Sequence, residues 1–143
     1  DLALALARTA AIARRRGLAV VISDFLGDPE HWGPALRRLT TRHETIAIEV
    51  LDPRELTLPD VGVLALVDPA TGQTREVNTS KKLRDRYASA ATQQRATIEQ
   101  GIRKAGADHL ILRTDQDGLL DIVRFVASRR ERVHARRAGW ESR

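Results

Sequence analysis

The sequence predicts an α/β fold, a three-layer sandwich with a mostly parallel sheet. Three observations lead there. Short apolar runs alternate with longer helical stretches along the whole chain. The first run, LAVVIS at 18–23, is apolar up to its final serine, as a strand covered on both faces reads. Three of the runs end in or beside an aspartate, which suits strand ends lying on one edge of a sheet.

Each element follows from its residues. Residues 1–16 predict a helix that Asp1 caps, with Arg14, Arg15 and Arg16 toward its end before Gly17. The strand at 18–23 comes next. Asp28 and Pro29 suit the N-cap and first residue of a helix, and Gly33-Pro34 makes a second start equally plausible; the helix runs to about Arg42, with Ala35, Leu36 and Leu39 inward. TIAIEVL at 45–51 predicts the second strand, closed by Asp52-Pro53. The runs at 61–67 and 74–78 predict a hairpin, turned through DPATGQ.

A long helix is expected from about Ser80 to Ala105, with Leu83, Tyr87, Ala91, Ile98 and Ile102 as its stripe. DHLILR at 108–113 predicts a further strand. A last helix starts near Asp117 and is expected to bury Leu119, Ile122, Val123 and Val126. Residues 1–128 thus form one domain, and 129–143 are a basic tail without a clear core.

Composition narrows the chemistry. The chain has 143 residues, 24 Lys and Arg against 19 Asp and Glu, a net charge of +5, and no cysteine. That excludes disulfides, thiol catalysis and thiolate metal sites, and leaves the redox compartment open. His31, His43, His109 and His134 fall in different elements without metal-ligand spacing. There is no GxxxxGK[ST] phosphate loop and no GxSxG elbow. No apolar run approaches the roughly 18 residues that span a bilayer, and no signal-peptide pattern opens the chain, so the expected location is cytoplasmic. The chain begins at Asp1 and contains no methionine, so a longer parent chain is expected. Arginines 129, 130, 132, 136 and 137, with Trp140, suggest phosphate contact, but aromatics are only 3%, so nucleic acid is disfavoured against an acidic protein surface.

The strand-end aspartates are Asp24, Asp52 and Asp115. Gathered on one edge, such carboxylates hold Mg²⁺ through hard oxygens. Taken singly, each caps a helix or makes an Asx turn. Asp24 departs most from the second reading, because Gly27-Asp28-Pro29 intervenes before any helix starts.

Ile22-Ser23-Asp24-Phe25 after an apolar strand resembles the fourth-strand motif of von Willebrand factor A-like domains. Further pieces follow in order: Asp52-Pro53-Arg54-Glu55, Leu58-Pro59-Asp60 with Gly62, Asp68-Pro69 with Thr71-Gly72, then Leu83-Arg84 and Tyr87. Together they resemble the C-terminal half of the "domain of unknown function 58" family over nearly the whole chain. The resemblance implies a partial von Willebrand A-like (Rossmann-like) domain with a β-hairpin insertion. It also implies a divalent-metal site to which Asp24 contributes, with Ser23 beside it. Such domains take further ligands from a DxSxS loop, which this sequence lacks, so the site is expected to be incomplete here.

Family members are commonly encoded with MoxR-type AAA+ ATPases and are taken to act as adaptors or chaperone-like partners. The expected function is therefore a non-enzymatic protein-interaction module, with such an ATPase or its client as partner and no cofactor in this chain alone. Asp52, Arg54 and Glu55 are the candidate partner-binding loop, against the plainer reading of a local ion pair on a turn. The alternative is a Mg-dependent phosphoryl-transfer or hydrolytic enzyme using Asp24, Asp52 and Asp115. In the parent strand order 3-2-1-4-5-6, the strand at 18–23 becomes an edge when the first strand is missing. An uncharged edge without proline offers a template to another chain, so a homodimer is expected.

Overall fold

The computed structural model describes residues 1–67 and 71–141, and for Leu66, Arg75 and 132–141 the backbone alone. Helix α1 spans Leu2–Ile12, and the Asp1 carboxylate caps it by accepting the Ala3 N–H at 2.9 Å. It stops short of the three arginines, which lie in the link to β1, Leu18–Ser23. Helix α2, Pro29–Thr40, takes the earlier of the two starts the sequence offers, with Asp28 as N-cap and proline in its first turn, and Pro34 lies inside it. Strand β2, Glu44–Leu51, leads into a 3-10 turn at Pro53–Leu56. Strands β3, Val63–Val67, and β4, Thr74–Asn78, pair as an antiparallel hairpin. Asp68, Pro69 and Ala70 of its expected turn lie outside the described residues. Helix α3, Lys81–Ala105, strand β5, Asp108–Arg113, and helix α4, Gly118–Glu141, complete the chain.

Strands β1, β2 and β5 form a parallel sheet in that order, with β1 at one edge and β5 at the other. The hairpin is a separate sheet, tied at its base by Thr79, whose hydroxyl donates to the Gly62 carbonyl at 3.0 Å. The fold is thus mixed α/β with a mostly parallel sheet. Register puts Ala19, Val21 and Ser23 on one face with Thr45, Ala47 and Glu49. That face meets Leu6 of α1, Trp32, Leu36 and Leu39 of α2, and Ile98 and Ile102 of α3 in one buried core. Helix α4 crosses the other face, where Arg129 donates to Asp108 at 2.7 Å and to Glu44 at 2.9 Å.

Two expectations about packing are corrected. Leu119, Ile122, Val123 and Val126 do not reach the core; they are 69%, 37%, 56% and 46% exposed. Gly118, Asp121, Phe125, Ser128 and Arg129 are the less exposed positions along α4. Ion pairing at Arg129 therefore orients the helix as much as apolar burial does. The basic segment expected without a clear core continues α4 as helix through Glu141. The side chains of Arg132, Arg136, Arg137 and Trp140 lie outside the described residues. Tyr87 also leaves the buried stripe of α3; it is half-exposed and its hydroxyl donates to the Glu55 carbonyl at 2.9 Å.

Candidate functional site at the carboxyl edge of the sheet

The carboxyl ends of β1, β2 and β5 bring the sequence-predicted residues to one edge, without gathering them. Ser23 ends β1 beside Glu49 of β2. Its hydroxyl donates toward Asp24 Oδ1 at 3.4 Å and accepts the Phe25 N–H at 3.1 Å. Asp24 Oδ1 also accepts the Leu26 N–H at 2.9 Å, an Asx turn. Phe25 takes φ 53°, the left-handed region that costs a non-glycine residue about 1–2 kcal/mol. Its ring offsets that cost: it is fully buried and meets Trp32 edge-on, with centroids 5.4 Å apart and planes at 68°. The buried ring pins a strained turn, and the turn holds the Asp24 carboxylate exposed at the edge.

Asp52 caps the 3-10 turn by accepting the Arg54 N–H at 2.9 Å. Arg54 and Glu55 are exposed, and among the described residues neither has an ionic partner. The local ion pair is therefore absent there, and the Tyr87 hydroxyl anchors the turn to α3 instead. Asp115 is engaged with its own strand: Arg113 grips it in a bidentate pair, both contacts at 3.0 Å. That pair holds the Asp115 carboxyl below its usual range and raises the Arg113 guanidinium. Among the described residues, no three acidic or histidine side chains lie close enough together to hold a metal ion.

A charged cluster that sequence reasoning missed lies deeper on the covered face. Glu49, central on β2, is fully buried; it pairs with Arg95 of α3 and lies 2.7 Å from His109 Nε2 of β5. Burial lowers the His109 pKa below 6.5; nearby Glu99 opposes this and Arg95 adds to it. Burial also lowers that of Arg95. The signal was one glutamate inside the apolar run TIAIEVL, at a position whose neighbours two residues away face inward. The cluster links the centre of the sheet to α3.

Fold and edge together define an α/β domain whose parallel strands direct polar groups to one rim. Residues 1–97 match the family described as "Protein of unknown function DUF58", and the chain belongs to that family. It is 54% identical over 130 residues to proteins named as uncharacterized from Mycobacterium tuberculosis and Mycobacterium bovis. That match covers 91% of this chain and 41% of each relative, so the chain spans about two-fifths of their length. A Mycobacterium avium protein, also named as uncharacterized, is 52% identical over 130 residues, covering 91% of this chain and 76% of that one. No solved structure matches the chain. No helix among the described residues is long and apolar enough to cross a membrane.

Proposed function

We propose that this domain is a non-enzymatic protein-interaction module whose carboxyl sheet edge engages a MoxR-type AAA+ ATPase or its client. The observation that carries the reading is the strained Ser23-Asp24-Phe25 turn, in which a buried ring fixes an exposed carboxylate. A position held against backbone strain suits recognition, because its geometry needs no reordering on binding. Arg54 and Glu55, exposed and without ionic partners among the described residues, offer a partner one charge of each sign on the neighbouring turn.

Ser23 and Asp24 fit a hard divalent cation in kind, both being oxygen donors, but two donors are far fewer than the roughly six it requires. In a longer protein these two would contribute to a Mg²⁺ site, where the ion supplies positive charge for an acidic partner group. Edge strand β1, uncharged and exposed on one face, supports self-association as a further contact.

Biolayer interferometry against a purified MoxR-type ATPase tests the proposal, with this chain and the longer relative compared. Asp24→Ala and Arg54→Glu should each weaken binding about tenfold, while Asp115→Ala leaves it unchanged. Absence of binding by both forms overturns it. So does metal-dependent hydrolytic turnover that Asp24→Asn abolishes.

A further inference from the structure

Beyond the Ser23-Asp24-Phe25 turn, α2 and α3 run side by side and leave a groove on the surface. Two cavities of about 500 Å³ and 400 Å³ share Asp28, Pro29 and Thr97, so they form one continuous trough. The helices are brought together at Gly101, where an added Cβ would lie 2.8 Å from Pro29 Cβ and 2.9 Å from the Trp32 ring. On the opposite wall Gly33 opens space, with nothing within 4 Å of where its Cβ would be.

The larger of the two cavities has a charge at each end. Asp28 and Glu30 stand at the start of α2, and Arg37 and Lys104 near the ends of α2 and α3. Among the described residues none of these four has an ionic partner. Helix dipoles favour this order of charges on any helix, so the charges alone would signify little. Here they bracket a cavity of ligand size whose walls offer the Gln100 amide and, as an acceptor, the Thr97 hydroxyl, which donates to the Gln93 carbonyl at 3.0 Å.

We infer that this trough binds an extended peptide bearing one basic and one acidic residue. The basic residue meets Asp28 and Glu30, and the acidic one meets Arg37 and Lys104. Glu30 and Arg37 are seven helical residues apart, roughly 10 Å, which an extended chain covers in about three residues. The peptide's charges therefore stand three or four positions apart. The trough is separate from Asp24 and Arg54, and the inference holds whether or not the AAA+ partnership does.

Fluorescence polarisation with labelled eight-residue peptides tests it without any ATPase. The probes carry Lys and Glu three or four positions apart, with neutral, two-Lys and two-Glu controls. The Lys/Glu peptide should bind at least about tenfold tighter than any control. The exposed double variant R37E/K104E should lose about tenfold for that peptide and now prefer the two-Lys peptide. Gly33→Tyr fills the trough from open space and should abolish binding while leaving the circular dichroism spectrum unchanged. Equal binding of all four peptides overturns the inference, as does binding that neither variant alters.

Discussion

Both faces of the parallel sheet carry apolar side chains, and they meet opposite surroundings. On one face Ala19, Val21 and Ala47 lie under α1, α2 and α3, against side chains such as Leu36 and Ile102 that are fully buried. On the other, Leu18, Val20 and Ile22 of β1 are 58%, 49% and 65% exposed, while Ile46 of β2 and Leu110 of β5, on the side that α4 crosses, are buried. The two edges differ in the same direction. β5 carries Asp108, His109 and Arg113, charges or near-charges that discourage a further strand; β1 carries none. The covered face holds the fold together, and the open face with its bare edge is free to take a partner.

The largest expected effect lies at the charged centre of the covered face. Glu49→Ala would remove the fully buried partner of Arg95; breaking a pair with both groups buried typically costs about 3–5 kcal/mol, and the 19% exposure of the Arg95 side chain places the loss toward the lower figure. Urea denaturation of the variant should show that loss; a change below about 1 kcal/mol would mean that water reaches the cluster.

Next in size is a paired truncation that sets the faces against each other. Leu36→Ala removes a fully buried side chain and should cost about 2–5 kcal/mol, whereas Val20→Ala on the open face should cost under about 1 kcal/mol. Equal losses in denaturation of dilute, monomeric samples would show that the open face is covered within the chain itself.

Coverage by a second copy can be read directly. Val20→Lys places a charge in the middle of edge strand β1. Light scattering across a concentration series should show wild-type chain self-associating and the variant monomeric, with the wild-type unfolding midpoint rising with concentration and the variant's constant. A wild-type chain that stays monomeric at high concentration refutes the dimer.

How much of this was legible in the sequence depends on what each residue reports. The bounds of β1 and β5 follow the sequence closely, because short apolar runs ending in polar residues mark strands locally. The start of α2 was legible only as a choice between Asp28-Pro29 and Gly33-Pro34, since proline suits a first turn at either place, and the fold takes the first. What a strand or helix packs against is not local. LAVVIS reads as covered on both faces, yet only alternate residues of β1 are partly buried. The stripe of α4 was visible as a pattern, but the pattern cannot say that Arg129 would anchor the helix to Asp108 and Glu44. The aspartates showed the same divide. Their place at strand ends was legible, while the bidentate grip of Arg113 on Asp115 and the buried ring fixing Asp24 depend on the folded backbone.

The smallest expected effect is the pH response of the buried cluster. His109 faces Glu49 and Arg95, with Glu99 nearby, and burial keeps its pKa below 6.5 in the folded chain. The unfolded chain therefore takes up the proton first as pH falls. Between 6.5 and the lowered native value, unfolded molecules hold more protons than folded ones, so stability rises with pH through that window. The contribution is complete above the window and lost progressively as pH drops through it. Thermal melts from about pH 7.5 down to about pH 5 should show wild type losing stability more steeply than His109→Gln, which keeps a hydrogen-bonding group beside Glu49 without the titration. Parallel curves for the two proteins would assign the acid sensitivity to the carboxylates and remove His109 from the account of the covered face.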